Sequence, residues 1–390
     1  MTCFKWRSGT QASGRSPRIR QLDSHASPDE VTRFVAATGP GTTGDHEAED
    51  SFSVRVEPNG SDRTVTGKLD PETISRLVYG RTGAPAPDLI QGAAFGEDTA
   101  AVPIGDEILV INADPCSLAA EHVGTIAVHV ACNDVAASGA HPRWLTSTIL
   151  LPEANAVEKL DRVTAQLDSA ARAVGATIVG GHTERSAQLD RPLLAMTAMG
   201  VTDRYVATGG AEPGDRLLLT KGAGVEATGI MATDFRAELS GVVDEATIDR
   251  AAGFFDWLSV VPDADAVGPF ATAMHDPTEG GVLAGLVELA LAGAVRCVVS
   301  REDILVREET AALGDALGVD PLRTFGSGAL LATVPEDAVD EALRAADEAG
   351  IEAAEIGRVE GVEDGADAGV DIDGDLLTEV PRDDMYALWS

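Results

Sequence analysis

From Lys68 onward, the chain alternates short β-branched runs with helical stretches that end in glycine, and this rhythm constrains the fold most strongly. The segments AAVPI and EILVINAD, the latter covering Glu107–Asp114, have the pattern of paired strands. Helices are predicted over 122–138 and 157–174, and a glycine follows each of them. The strands ATIVGG and PLLAMTAMGV complete a first domain, which we expect to end near residue 205. The pattern is typical of an α/β protein.

A second domain is predicted to open at the turn Glu212–Asp215, which precedes the strand RLLLTK. A long helical region follows around 225–258, and an apolar helix is predicted over Thr278–Ala292. With 390 residues, of which 44% are hydrophobic, the chain can form two ordinary cores. We therefore predict an N-terminal domain over 68–205 and a C-terminal domain over 206–390.

Residues 1–67 differ in kind from the rest of the chain. The first twenty carry five basic side chains and no acidic one, and a mixture of Gly, Thr, Ser and Asp with little apolar periodicity follows. Three interpretations stay open: a disordered tail, a small regulatory appendage, or translated upstream sequence from a misplaced start codon. We expect a disordered or non-native N-terminal extension and leave it out of the fold argument.

The formal net charge of -35 at pH 7 argues against nucleic-acid partners, because such a field repels phosphates. The acidic residues are spread along the chain, and nearly all basic residues are Arg, which is typical of proteins from halophiles. No apolar run reaches the roughly 18 residues of a membrane span, and no signal peptide is evident. The four cysteines form no CxxC pair. We expect a cytoplasmic protein without membrane partners.

Four separated segments place carboxylates near glycine or other small residues at the mouth of a strand or helix: Phe95–Val102, Asn112–Asp114, Asn133–Asp134 and His275–Gly281. Magnesium prefers hard oxygen ligands in an octahedral arrangement, usually a few carboxylates with phosphate oxygens and water. Side chains that converge from several loops can supply such a set. The predicted metal ligands are Asp98, Asp114, Asp134 and Asp276.

Glycines beside these acids allow backbone amides to approach a phosphate closely, and Thr278–Gly281 places a helix N-terminus where a γ-phosphate could rest. A fifth segment, Gly180–Glu184, follows the strand ATIV and has the same character. The predicted nucleotide-binding residues are Gly96, Asn133, Gly180, Gly181, Thr183, Thr278, Gly280 and Gly281.

In this order, the segments resemble the motifs of the AIR synthase (PurM-like) superfamily. FGEDTAAV resembles its GDDAAV metal loop, ACNDVAASGAHP its NDxxxxGAxP helix, GGHTE its GGDT loop, and HDPTEGG the HDPTRGG segment of the hydrogenase-maturation branch, HypE. The resemblance covers about 85–360. It implies a two-domain PurM-like fold of the α/β (α+β) class, with an N-terminal domain that forms a dimeric β-barrel-type interface and a C-terminal αβ sandwich. It also implies a homodimer that binds ATP and Mg²⁺ in the cleft between its domains.

Two positions depart from the pattern of that branch. HypE carries out its dehydration on a carbamoylated C-terminal cysteine, whereas this chain ends Tyr386-Ala387-Leu388-Trp389-Ser390. The Asp of the GGDT loop is His182 here, and imidazole is a poor magnesium ligand, so either Glu184 takes over its role or His182 contacts phosphate. We predict His182 and Glu184 as catalytic residues.

The resulting hypothesis is an ATP- and Mg²⁺-dependent enzyme that phosphorylates an amide, carboxamide or small-molecule acceptor for dehydration or substitution. A role in protein maturation of the hydrogenase type is included. Two alternatives remain: a kinase of the thiamine-monophosphate type, and a non-catalytic regulatory protein that binds nucleotide.

Overall fold

The computed structural model describes residues 67–69, 71–119, 121–363 and 365–389. The predicted N-terminal extension therefore lies, apart from Gly67, outside the described residues. Within them the chain forms one five-stranded and one seven-stranded β-sheet, with helices packed against each. The strands of the first sheet all precede residue 203 and those of the second all follow residue 215. The exact domain limits stay predictions.

The N-terminal sheet has the strand order β1-β2-β5-β3-β4. All neighbours pair antiparallel except β3 and β4, which are parallel. Residues of β5 alternate between buried and partly buried, as expected for a strand with one face toward a core. The strands are β1 Ala100–Ile104, β2 Glu107–Cys116, β3 His141–Leu151, β4 Thr177–Arg185 and β5 Leu193–Thr202.

Two helices cover one face of this sheet, and both were predicted from the sequence. The amphipathic α3 packs against β3 and β4, whereas α2 is buried along almost its whole length, because it lies between the sheet and the C-terminal half. Gly139 and Gly175 follow these helices with positive φ, which confirms their predicted ends. The helices are α1 Pro71–Ile74, α2 Val123–Ala137 and α3 Ala156–Ala173.

The C-terminal sheet has the order β12-β11-β8-β10-β6-β9-β7. Its pairs are antiparallel except for β8 with β11. The interior strand β6 has three consecutive leucines, and all of its residues after Arg216 are buried. The strands are β6 Arg216–Thr220, β7 Ala273–His275, β8 Val295–Val299, β9 Leu331–Val334, β10 Ala353–Gly361, β11 Gly369–Ile372 and β12 Asp375–Leu377.

The helices of this half differ in places from the sequence prediction. The region 225–258 is not one long helix: Gly241 adopts a positive φ, and Asp244 caps a new helix by accepting a hydrogen bond from the Thr247 amide. The apolar helix begins at Gly281, three residues later than predicted. The helices are α4 Val225–Asp234, α5 Arg236–Leu239, α6 Glu245–Ala252, α7 Val261–Val267, α8 Gly281–Ala292, α9 Glu308–Leu317 and α10 Val339–Glu348. No helix within the described ranges is long and apolar enough to cross a membrane.

One apolar cluster joins the two halves. It contains the side chains that α2 and α3 direct at the first sheet, and it continues into Leu218, Val261 and Val334 of the C-terminal half. Because α2 also packs against α7, the halves share a core. The candidate site lies at this junction, where side chains of β2 and α2 meet the residue that follows β7.

Candidate active site

Asn112, on β2, is the hub of an acidic cluster at the junction. Its Nδ2 donates to Oδ2 of Asp134 at 2.5 Å, to Oδ2 of Asp114 at 3.1 Å and to the backbone oxygen of Asp98 at 3.1 Å. Asp114 belongs to the same strand two residues later and therefore the same face, while Asp134 projects from α2. The carboxylates of Asp114 and Asp134 and the backbone of Asp98 thus come together around one amide.

Asp276, directly after β7, completes the group of four carboxylates. It is 1% exposed, and neither of its side-chain oxygens has a hydrogen-bond partner of ordinary geometry among the described residues. Burial raises the pKa of Asp276, and Asp114 adds to the effect, whereas the neighbouring Asp134, His275 and Asn133 side chains oppose it. Burial together with Asp276, Asp114 and Asp98 raises the pKa of Asp134 well above its usual range. The cluster therefore concentrates negative charge that a bound cation would stabilise.

The loop that carries Asp98 is anchored on both sides. Glu97 accepts hydrogen bonds from the amides of Thr208 at 3.2 Å and Gly209 at 3.0 Å, and the Thr99 and Ser138 hydroxyls lie 2.7 Å apart. Asp98 itself keeps 41% of its side chain exposed. Desolvation by the surrounding protein, opposed by His275, raises its pKa to about 6. Gly96 backs onto α8, so the loop holds its carboxylate at the mouth of the cleft.

A chain of charged side chains continues from Asp98 across the cleft wall. Nδ1 of His275 lies 3.5 Å from Oδ2 of Asp98, and its Nε2 lies 3.1 Å from Oε2 of Glu288. The other Glu288 oxygen is 3.1 Å from Nζ of Lys68. Burial alone would lower the pKa of His275, but hydrogen bonding to Glu288 and the Asp98 charge raise it to about 9. The imidazole is therefore a buried cation at neutral pH.

In the turn before α8, the backbone amides of Gly280 and Gly281 already donate hydrogen bonds to other protein groups. Gly280 has φ of 80°, and its amide donates to Oδ2 of Asp383 at 2.7 Å. A Cβ at Gly280 would lie 2.5 Å from the Pro381 oxygen, so this position requires glycine. The backbone oxygen of Thr278 accepts from the Gly281 amide at 3.0 Å. The phosphate-binding role of Thr278, Gly280 and Gly281 stays a prediction.

The structure places His182 and Glu184 outside the carboxylate cluster of their own chain. Strand register aligns Asp114, Met196, Ser147 and Gly181 in one row across the sheet, three strand spacings or roughly 14 Å from end to end. Met196 is buried against the helices, so the residue after Gly181 points to the opposite face. His182 and Glu184 lie there, 3.3 Å apart and largely exposed.

The nearby predicted residues Gly180, Gly181 and Thr183 lie on the same exposed edge strand, β4. A Cβ at Gly181 would approach the Ser147 oxygen to 2.0 Å, so the close contact between strands accounts for that glycine. The nucleotide-binding role of all three stays a prediction.

Asn133 is fully buried, and both ends of its amide are used by protein backbone. Its Nδ2 donates to the Leu258 oxygen at 2.9 Å, and its Oδ1 accepts from the Val260 amide at 2.9 Å. The side chain therefore ties α2 to the segment that leads into α7. Its predicted nucleotide contact stays a prediction.

The cluster fits a magnesium–nucleotide pair better than a metal bound by protein alone. No group of three or more His, Cys, Asp or Glu side chains in the described part of the chain is arranged to hold a metal ion by itself. Magnesium beside nucleotide phosphates needs only one or two carboxylates, since phosphate oxygens and water supply the other ligands. The two oxygens of Asp276 that lack partners are donors of the required kind.

Lys68, Asn112 and Glu288 belong to the site but are absent from the residues that the sequence predicts. A signal for Glu288 exists: it is the one charged residue in the apolar helix GVLAGLVELALA, and carboxylates are rarely buried without partners. Asn112 lies in a segment that the sequence singles out for its neighbour Asp114. Lys68 has no local signal, because its partners are more than two hundred residues away.

The fold and the site define a two-sheet α/β protein with an acidic cleft where its halves join. Two family models match the chain: AIR synthase related protein, N-terminal domain, over residues 96–202, and AIR synthase related protein, C-terminal domain, over residues 212–367. Together they cover more than half of the chain. The protein belongs to the AIR synthase related family and has the PurM-like fold.

Among curated relatives, carbamoyl dehydratase HypE of Cupriavidus necator is 30% identical, covering 75% of this chain and 86% of the relative. A crystal structure of hydrogenase maturation protein HypE in complex with ATP matches with a TM-score of 0.57 and 24% identity, over 81% of this chain and 97% of that one. AaThiL complexed with AMPPCP and TMP matches with a TM-score of 0.62 and 22% identity, over 75% and 91%. The two structural matches show the shared fold.

Proposed function

We propose that the protein is an ATP- and Mg²⁺-dependent phosphoryl-transfer enzyme of the HypE and AIR synthase related type. The observation that carries the proposal is the convergence of Asp98, Asp114, Asp134 and Asp276 at the junction of the two halves, with Asp276 buried and without a hydrogen bond of ordinary geometry among the described residues. The structures of HypE in complex with ATP and of AaThiL complexed with AMPPCP and TMP support nucleotide as the ligand.

In this mechanism Asp98, Asp114, Asp134 and Asp276 would hold the metal of the Mg²⁺–ATP complex and so position the γ-phosphate beside an acceptor oxygen. Bound Mg²⁺ supplies neutralisation of the charge on the phosphate oxygens. The bond between the γ-phosphorus and the β,γ-bridging oxygen breaks, and its electron pair leaves with ADP. The acceptor oxygen forms the new P–O bond, and the acceptor loses a proton to solvent.

The residues of the chain divide this work between them. Asn112 orients Asp114 and Asp134 by direct hydrogen bonds, and the anchored loop presents Asp98 at the mouth. The acceptor is an amide, carboxamide or small molecule whose oxygen becomes a leaving group for dehydration or substitution. Maturation of a hydrogenase-like protein is the role that the HypE likeness favours.

ADP formation with candidate acceptors tests the proposal. A carbamoyl-peptide, thiamine phosphate and aminoimidazole-pathway substrates are screened in concentrated salt with ATP and Mg²⁺. We expect turnover that requires Mg²⁺ and that falls to background in Asp98→Asn and Asp134→Asn, while Asp168→Asn on the exposed face of α3 serves as the matched control. Turnover at the parental rate in both cleft variants contradicts the assignment.

A thiamine-monophosphate kinase is the second candidate, and the similarity to AaThiL complexed with AMPPCP and TMP favours it. ADP release that thiamine phosphate stimulates, and carbamoyl-peptide does not, identifies this activity. The alternative of a non-catalytic regulatory protein is favoured by the placement of His182 and Glu184 away from the cluster. Calorimetric binding of ATP with phosphate release at background for every acceptor identifies that case.

We also propose that the protein forms a homodimer through the face of the N-terminal sheet opposite α2 and α3. Alternate residues of β3 and β5 on that face are only partly buried, among them Leu150 and Met199. A second copy stacked on this face would cover it and would bring the partner's β4 alongside.

A further inference from the structure

Lys68 reaches the candidate site from a segment far away in sequence. Its ammonium lies 3.1 Å from Glu288 Oε1, and its backbone amide donates to Oε2 of Glu279 at 3.3 Å. Glu288 is 8% exposed, whereas 44% of the Lys68 side chain remains exposed. One end of the contact is thus fixed in the protein, while the ammonium can still meet a ligand.

The ammonium is coupled to the carboxylate cluster through two buried side chains. Glu288 contacts His275 at 3.1 Å, and His275 contacts Asp98 at 3.5 Å. Neither Glu288 nor His275 is more than 8% exposed, so this row has little freedom to change its geometry. Lys68 is therefore held on the side of the cleft that carries Asp98.

An ammonium at this position would offset the repulsion between the carboxylates and the phosphate oxygens of a bound nucleotide. The carboxylates repel the oxygens of a triphosphate, and phosphoryl transfer requires cationic groups around the transferred group as its charge redistributes. Lysine carries three donors, and Glu288 Oε1 accepts one of them. The remaining donors are available to phosphate oxygens.

We propose that Lys68 is a catalytic residue whose ammonium donates to the γ-phosphate oxygens of the bound nucleotide, with Glu288 and His275 as positioning residues. The proposal rests on the proposed function and adds the group that faces the transferred phosphoryl. As the bond to the bridging oxygen breaks, Lys68 stabilises the charge on the γ-phosphate oxygens without losing its own proton. An anchor for the 67–69 segment is the competing role, and it predicts no dependence on the γ-phosphate.

Calorimetry with two nucleotides separates these roles without knowledge of the acceptor. Binding of AMPPCP, a non-hydrolysable ATP analogue, and of ADP is measured in Mg²⁺ for the parent, Lys68→Met, Lys68→Arg and Lys159→Met. Lys159 lies on α3 and provides the same chemical change away from the cleft. We expect the parent to prefer AMPPCP, and Lys68→Met to lose about 10- to 100-fold in AMPPCP affinity, the size of one charge-assisted contact, with ADP affinity nearly unchanged. Lys68→Arg keeps most of the preference because it keeps the charge.

The outcomes distinguish this proposal from the proposed function. A parent that binds neither nucleotide overturns both. A parent that binds both, with Lys68→Met unchanged or with equal losses for AMPPCP and ADP, overturns the role of Lys68 alone. A parent that binds AMPPCP and ADP equally well also overturns the role of Lys68 alone. If Lys68→Met does not fold, Lys68→Gln takes its place: loss of the preference for AMPPCP in that variant supports the proposal, and a preference equal to that of the parent overturns it.

Discussion

Replacing Asp276 by Asn should stabilise the metal-free protein while removing its response to magnesium and nucleotide. The carboxylate is 1% exposed, has two oxygens without hydrogen-bond partners among the described residues, and lies beside other carboxylates. Each unsatisfied buried polar group costs about 1–3 kcal/mol. The amide removes the charge and one of the two acceptors, and it can donate to a neighbouring carboxylate. We therefore expect a gain of about 1–3 kcal/mol in unfolding free energy.

The opposite sign is expected when ligand is present. A ligand that binds only the folded state stabilises it by about 2.7 kcal/mol at a concentration one hundred times its dissociation constant. The parent should gain this increment with Mg²⁺ and AMPPCP, and Asp276→Asn should not. The assay is denaturant unfolding at pH 7.5, with EDTA or with Mg²⁺ and AMPPCP, and the Asp168→Asn variant serves as control. Two results would refute the reasoning. One is a metal-free Asp276→Asn protein that is less stable than the parent by about 1 kcal/mol or more, the cost of one unsatisfied buried group. The other is an Asp276→Asn protein that Mg²⁺ and AMPPCP stabilise as much as they stabilise the parent.

Three further predictions concern other parts of the chain. Asn133→Ala leaves two backbone groups of the 258–260 segment without partners and should lower the unfolding free energy by about 2–5 kcal/mol. Denaturant titration measures this loss. A loss below about 0.5 kcal/mol would contradict a structural role for the two Asn133 hydrogen bonds. Burial raises the pKa of Glu226 to about 8, so the folded state holds its proton more tightly than the unfolded state. Stability from that proton is complete below the unfolded pKa and is lost as pH rises toward 8, by at most about 1.4 kcal/mol per unit. Glu226→Gln should remove this slope in melts at pH 5 to 8, and an unchanged slope excludes Glu226 as its source. Met199→Asp, on the face of β5 opposite the helices, should convert the proposed dimer to monomer in light scattering, whereas Val157→Asp on the exposed side of α3 should not; a dimeric Met199→Asp protein would rule out this face.

The sequence predicts well those elements whose pattern is local. The helices α2 and α3 and the strands β1, β2 and β6 lie where the local sequence pattern predicts them. The strand β10 carries several charged residues and a register irregularity between Glu355 and Gly357, which disrupt its alternation. The acidic stretch around 371–375 has the composition of a solvated loop but forms the hairpin of β11 and β12, turning at Asp373 and Gly374 with positive φ.

The candidate site likewise has a part that local sequence patterns predict and a part that they do not. The four aspartates converge as their motifs predict, because each lies at the end of an element whose position the fold determines. The face to which His182 points depends on strand register across four strands, and an edge strand exposed on both sides has no alternation that would reveal it. Lys68 is found only through its distant partner Glu288. Long-range pairing is the information that local patterns lack.

The apolar core that α2 shares with α7 also limits how the cleft can respond to a ligand. A rigid-body hinge motion between the halves would separate Val261 and Val334 from the side chains around α2. It would also break the two hydrogen bonds that tie Asn133 to the backbone of the 258–260 segment. Such a motion exposes apolar surface at roughly 25 cal/mol for each Å². We therefore expect ligand-induced changes only in side chains and short loops. A nucleotide would bind to a site that is preformed.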